Sequence, residues 1–198
     1  MKNALTVIDN HSVALEYLRK GPVLDAGSRG FVFSKFFAER GHKVVALDPG
    51  EDGFIPTGVS FLPVALMAQT MDGRLVLTQD KEARYVIPEW KSADDQTARI
   101  KCLDIRAIMR DQSIDEWDLV KLNIEGAEFD VLSNWHPGVA RQIVVSFHEH
   151  TARARGRAAV DALVEKLAAD YHVLRHVWDE RYCAGSNAWD TVLVRKGI

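Results

Sequence analysis

His148-Glu149-His150 stands at the end of an apolar run, Gln142-Ile143-Val144-Val145-Ser146-Phe147. An imidazole titrates near neutral pH, so a histidine delivered by a strand end is a candidate general base, and His148 is the first choice. Asn123 and Glu125 close a second such run, Trp117-Asp118-Leu119-Val120-Lys121-Leu122, and bring an amide and a carboxylate to the same kind of position. Two further carboxylates, Asp25 and Asp48, end the runs Pro22-Val23-Leu24 and Val44-Val45-Ala46-Leu47. From a strand tip, Asp48 can accept two hydrogen bonds from the vicinal hydroxyls of a ribose. Asp25 leads into Ala26-Gly27-Ser28-Arg29-Gly30, where Gly27, Ser28 and Gly30 form a turn that backbone and ligand can share. These types at these places predict a small-molecule site on strand ends with acid–base chemistry beside it.

Such a site needs strands that all end on one side, joined by helices. Asn10-His11-Ser12 is placed to cap a first helix over residues 13–18, with Gly21 after it. A strand starts at Pro22, a helix over 34–40 turns Phe33, Phe36 and Phe37 to the sheet, and residues 43–48 form a second, nearly all-apolar strand. A third strand is expected near 59–65, then a turn at Met71-Asp72-Gly73-Arg74. The polar stretch 79–98, with Pro88 and Trp90, reads as a loop or excursion over the site. Asp104 caps a helix to about Arg110, residues 117–124 form the fourth strand, and a helix runs from Glu125 to about Trp135. Residues 142–147 form the fifth strand, 158–169 a helix with Val160, Leu163, Val164 and Leu167 on one face, and 173–177 with 191–194 a closing pair. The alternation predicts one doubly wound α/β domain over residues 1–198, its mostly parallel sheet ending in an antiparallel hairpin. Residues 1–20 would hold the N-terminal helix and 22–198 the sheet.

The chain has 198 residues, 47% hydrophobic and 27% charged, with a net charge of only -3. No overall field favours nucleic acid or an anionic membrane, so the expected partner is a small-molecule acceptor. No run reaches the roughly 18 apolar residues of a spanning helix, and the first residues lack a signal-peptide pattern, which predicts a cytoplasmic protein. Cys102 and Cys183 are too few for a disulfide framework or zinc knuckle and read as packing residues.

What the glycine turn lacks narrows the cofactor. There is no Gly-x-Gly-x-x-Gly for a pyrophosphate and no Gly-Lys-Ser/Thr for a phosphate loop. An acidic residue beside the turn repels a pyrophosphate and attracts an ammonium. S-adenosylmethionine has a ribose, an ammonium, a sulfonium and no phosphate, and it fits. A nicotinamide dinucleotide does not.

Here the chain resembles the class I S-adenosylmethionine-dependent methyltransferases, and within them the FkbM-type family. The resemblance rests on Val23-Leu24-Asp25-Ala26-Gly27-Ser28-Arg29-Gly30, on Val45-Ala46-Leu47-Asp48-Pro49, and above all on Asp118-Leu119-Val120-Lys121-Leu122-Asn123-Ile124-Glu125-Gly126-Ala127-Glu128. It implies a Rossmann-like, seven-stranded sheet whose last two strands form a hairpin, and methyl transfer usually to a hydroxyl of a sugar or other natural product. It also implies that Asp25, Gly27 and Gly30 meet the methionine part of the cofactor and Asp48 its ribose. Arg29 and Phe31 stand where the family usually carries small residues, and Asn123 where it usually carries Asp.

Methyl transfer is an in-line displacement at an activated carbon, so alignment and proton removal are the protein's tasks. His148 would take the proton, with Asn123 and Glu125 beside it. A divalent metal held by Glu125, Asn123 or Glu149 with imidazole is an alternative that is not favoured. Lys121, Asn123 and Glu125 share one strand face, so Lys121 and Glu125 can pair with each other. Arg153, Arg155 and Arg157 read as a solvated loop or as a patch for an anionic acceptor. Trp90, Trp178, Tyr182 and Trp189 flank the same end as core or as pocket wall. Three readings stay open: an O-methyltransferase first, an N-methyltransferase, and a non-catalytic α/β binding or scaffold subunit.

Overall fold

The computed structural model describes residues 4–50, 53–77, 84–88, 97–148, 156–179 and 188–198. The chain opens with a hairpin of β1 (Thr6–Ile8) and β2 (His11–Val13), followed by β3 (Val23–Ala26), α1 (Val32–Ala38), β4 (Val44–Leu47) and β5 (Val59–Leu62). A second group follows: β6 (Ala65–Leu66), β7 (Met71–Leu77), β8 (Arg84–Pro88) and β9 (Thr97–Leu103). Then come α2 (Ile105–Gln112), β10 (Trp117–Leu122), α3 (Glu128–Ser133), β11 (Ala140–His148), α4 (Arg157–Leu167), β12 (Tyr171–Asp179) and β13 (Ala188–Arg195).

Seven strands form one sheet in the order β12-β13-β11-β10-β3-β4-β5. The pairs from β11 to β5 are parallel, and β13 lies antiparallel to both β11 and β12, as the alternation and closing hairpin predict. Every residue of β3, β4, β10 and β11 is buried, which is why these strands read as nearly continuous apolar runs. From β3 the chain winds outward through β4 to β5, and from β10 it winds the other way to β11. The switch point therefore lies between β3 and β10, and the crevice over their carboxyl ends is where open α/β sheets take ligands.

Alternation along the strands divides the core. Leu24, Val45, Val120 and Ile143 face α2 and α4 residues such as Ile108, Val160 and Leu163, while Val23, Val44, Leu119 and Val144 face Phe33 and Phe37 of α1 and Ile8 and Val13 of the hairpin. Each fully buried side chain of this size contributes about 1.5–3 kcal/mol. Asp104 caps α2 as expected, accepting a hydrogen bond from the Ala107 N–H at 2.9 Å. No helix among the described residues is long and apolar enough to cross a membrane.

Two expectations fail. The N-terminal segment is a hairpin rather than a helix, with the pairing Ile8↔His11 closed by Asp9 and Asn10, both at positive φ (47° and 64°). Such a two-residue turn matches strand twist. Its polar residues are consumed by the sheet rather than by capping: Ser12 Oγ donates to Asp190 Oδ2 at 2.6 Å, and Gln142 Oε1 and Nε2 bond the N–H and carbonyl of Ala14. Among the described residues of this segment, only Leu15–Tyr17 makes a helical turn.

The second failure is the middle of the chain. Met71-Asp72-Gly73-Arg74 is not a turn but part of β7, and the described part of the supposed loop 79–98 contains β8 and the start of β9. These form a four-stranded sheet ordered β6-β9-β7-β8. Gly73 fits in mid-strand because a Cβ there would stand 2.7 Å from Cys102 Sγ, so the glycine marks a close approach of β9. Trp90, Tyr182, Cys183, Glu149, His150, Arg153 and Arg155 lie outside the described residues.

Candidate active site

Asp25 and Lys121 are register partners on β3 and β10, and both are buried. Lys121 Nζ lies 2.9 Å from Asp25 Oδ1 and donates to the Gly27 carbonyl at 2.7 Å, while Ser34 Oγ donates to Asp25 Oδ2 at 2.6 Å. Asp25 therefore faces an internal cation, not the open crevice. Lys121 pairs with Asp25 rather than with Glu125, because the parallel register sets Lys121 directly opposite Asp25.

The glycine turn is drawn onto the sheet. The N–H groups of Gly27 and Ser28 both donate to the Leu47 carbonyl, at 2.8 and 3.1 Å. A Cβ on Gly27, whose φ is +79°, would stand 1.8 Å from the Asn123 carbonyl oxygen. Gly27 thus exists to let β3 and β10 emerge side by side. Gly30 is different: its φ is +71°, yet a Cβ there meets nothing within 4 Å, so this part of the turn borders open space. Arg29 is exposed and Phe31 packs edge-on against Phe61 at 5.3 Å, so neither bulky residue fills the turn.

Asp48 follows the last residue of β4 and is half-buried, with Oδ1 accepting from the Gly50 N–H at 2.8 Å. Asn123 follows β10, its N–H donating to the Ala26 carbonyl at 3.0 Å. Two buried polar atoms in this neighbourhood, Asn123 Oδ1 and Ser28 Oγ, have no hydrogen-bond partner among the described residues. Each such atom costs about 1–3 kcal/mol when left unsatisfied.

Beyond Asn123 the chain turns sharply through Glu125 (φ +53°) and Gly126 (φ +93°). Glu128, almost fully buried at the start of α3, reaches back over this turn. Its Oε1 accepts from the Ile124 N–H at 2.7 Å, its Oε2 accepts from the Gly126 N–H at 2.8 Å, and His148 Nδ1 lies 2.9 Å from Oε1. His148 Nε2 faces Glu125, with Oε1 at 3.8 Å. Burial alone disfavours the imidazolium, but Glu128, with help from Glu125, outweighs burial and the opposing Lys121 charge and raises the His148 pKa. His11 on β2 has the opposite balance. Buried, with Nδ1 3.1 Å from Ser146 Oγ, it is pushed well below the usual histidine value by desolvation and by the Lys121 and His148 charges.

The site thus gathers Asn123, Glu125 and His148 around one turn and places Gly30 and Asp48 at neighbouring strand ends. Residue types and spacing did not single out Glu128 as a partner of His148, although an acid in a helix's first turn reaching back to free N–H groups is a readable capping pattern. His11, expected in a helix cap, lies instead on β2. Arg157 lies 5.1 Å over the Trp189 ring and 3.5 Å from Asp161, and Trp178 meets Trp189 edge-on at 5.2 Å. Among the described residues, no group of three or more His, Cys, Asp or Glu side chains is arranged to hold a metal ion.

No model of a known protein family matches the chain, and no curated protein matches it. Among solved structures, it is similar to the Burkholderia thailandensis 1,6-didemethyltoxoflavin-N1-methyltransferase with bound 1,6-didemethyltoxoflavin and S-adenosylhomocysteine, at 14% identity and a TM-score of 0.42 over 88% of this chain and 70% of that one. It is also similar to a TehB-like SAM-dependent methyltransferase of Corynebacterium glutamicum, at 13% identity and a TM-score of 0.43 over 90% of this chain and 82% of that one.

Proposed function

We propose that this chain is an S-adenosylmethionine-dependent methyltransferase acting on a hydroxyl of a small molecule such as a sugar or other natural product. The observation that carries the proposal is the His148 imidazole, held by Glu128 at the carboxyl end of β11 and turned toward Glu125. The unpartnered Asn123 Oδ1 and Ser28 Oγ, with the open space at Gly30, fit a polar ligand there. When bound, S-adenosylmethionine supplies a methyl group activated by its sulfonium.

Asp48 would hold the ribose hydroxyls, and the turn from Gly27 to Gly30, with Ser28 Oγ, would border the methionine part. Asn123 Oδ1 is an acceptor suited to the ammonium. Asp25 is better assigned to holding Lys121, and through it the Gly27 carbonyl, than to direct contact with the cofactor. Transfer of the methyl group to a hydroxyl would leave the sulfur–carbon electron pair on sulfur, and His148 would take the proton the hydroxyl gives up. Only proton removal asks for a base, which is why a near-neutral imidazole suffices.

Calorimetric titration with S-adenosylmethionine and S-adenosylhomocysteine tests this reading. Binding is expected, to be abolished in Asp48→Ala and kept in His148→Ala, whose methylation of a hydroxyl acceptor should fall by about 10²–10⁴-fold. No binding at millimolar cofactor would overturn the proposal in favour of a non-catalytic subunit. Full activity in His148→Ala would point instead to N-methylation of an amine that is already neutral.

A further inference from the structure

We propose that Glu128 is the positioning residue of His148: it keeps the proton on Nδ1, so that Nε2, the nitrogen turned toward Glu125, is the basic one. The inference rests on the proposed role of His148 as general base and extends it to a residue that touches neither acceptor nor cofactor. Two backbone N–H groups, of Ile124 and Gly126, converge on the Glu128 carboxylate at 2.7 and 2.8 Å, and these can only donate. A carboxylate so surrounded acts as an acceptor. His148 Nδ1, at 2.9 Å from the same Oε1, must then be the donor, and the neutral ring carries its lone pair on Nε2.

The same carboxylate ties the ring to the turn that carries Asn123 and Glu125. Glu128 binds the backbone on both sides of Glu125, whose positive φ sets its side chain 3.8 Å from Nε2. A proton arriving on Nε2 is therefore met by a second carboxylate, while the first keeps the ring from rotating. Among the described residues, the other charged or titratable groups acting on the ring are Lys121 from β10, which opposes its charging, and His11 from β2, whose own charging it disfavours. Among the described residues, Glu128 is the acid in hydrogen-bond contact with Nδ1.

Long-range proton–nitrogen NMR of the ligand-free protein reads the tautomer without any methyl transfer, with the His148 signals identified by their loss in His148→Gln. Above its midpoint, His148 should show a protonated Nδ1 and an unprotonated Nε2. In Glu128→Gln the preference should weaken and the midpoint should fall. The acid limb of the kcat profile should move to lower pH with it, and the plateau should drop by about 10²-fold with KM for the cofactor unchanged. A merely structural loss would lower the plateau without moving the limb. A wild-type ring protonated on Nε2 overturns the inference even if the variant does not fold, as does an unchanged tautomer and midpoint in a folded Glu128→Gln. The expected tautomer together with full activity in His148→Ala would leave Glu128's hold on the ring standing and overturn the general-base role.

Discussion

Lys121 and Asp25 face each other across β10 and β3, and one strand further along the sheet His148 and Glu128 face each other across β11 and α3. Each pair is buried and each sets a nitrogen 2.9 Å from a carboxylate oxygen. Their surroundings differ. Lys121 is used up by Asp25 and the Gly27 carbonyl, Asp25 is further bound by Ser34, and neither side chain is more than 1% exposed. His148 gives one nitrogen to Glu128 and turns the other toward Glu125, whose side chain is one quarter exposed. The second pair reaches a partly exposed carboxylate, whereas both side chains of the first are shut in. Burial and a short contact are common to both, so they cannot mark function. The partly exposed second carboxylate is what sets the proposed site apart.

The sharpest way to break that contrast is to remove one partner from the closed pair. Asp25→Asn leaves the Lys121 ammonium buried without its carboxylate, and Lys121→Met does the reverse; each should lower stability by about 3–5 kcal/mol in urea denaturation. Asp25→Leu with Lys121→Met should cost clearly less than the sum of the single changes, since no charge is then left alone. Single variants of near wild-type stability that fail only in binding S-adenosylmethionine would return Asp25 to the ligand and make the two pairs alike in function.

A smaller effect separates the two glycines of the first turn. Gly27→Ala forces a Cβ to within 1.8 Å of the Asn123 carbonyl oxygen at φ +79°, so β3 and β10 must shift apart. Gly30→Ala meets no atom within 4 Å and carries only the strain of its positive φ, about 1–2 kcal/mol. Thermal denaturation should therefore show a larger loss for Gly27→Ala than for Gly30→Ala, while cofactor affinity should respond to both. Equal losses of stability would mean that the turn is loose enough to move Gly27 away from Asn123.

Local pattern made the frame of this molecule legible. The runs ending in Asp25, Asp48, Asn123 and His148 are buried on both faces or nearly so, and such strands announce themselves by unbroken apolar sequence. Asp104 as a cap and the apolar stripe of α4 are equally local signals. What stayed hidden was long-range pairing of polar groups. His11 and Ser12 resemble the start of a helix until Ser146 and Asp190, far along the chain, are seen to tie them to the sheet. Gly73 reads as a turn until Cys102 is seen to need its space. In the site, parity along a strand put Lys121 and Glu125 on one face, but only the register of β10 against β3 shows that Asp25 takes the lysine and leaves Glu125 for His148.

The two buried histidines give the mildest test, through the pH dependence of stability. The folded-state pKa of His148 is raised, chiefly by Glu128 against the cost of burial, so the folded protein holds its proton more tightly than the unfolded chain. That contribution is fully present below the unfolded value near 6.5 and is lost as pH rises through the higher folded value. His11 is lowered by burial first, so the unfolded chain takes up a proton near 6.5 that the folded protein refuses, and stability falls as pH drops below that point. Urea denaturation between pH 5 and pH 8 should then show His148→Gln losing the decline on the alkaline side and His11→Gln losing the decline on the acid side. Removing the Glu128 charge with Glu128→Gln should flatten the alkaline side as His148→Gln does. If it flattens the acid side instead, the carboxylate is acting on His11, and the open pair is wired differently from the contacts that define it.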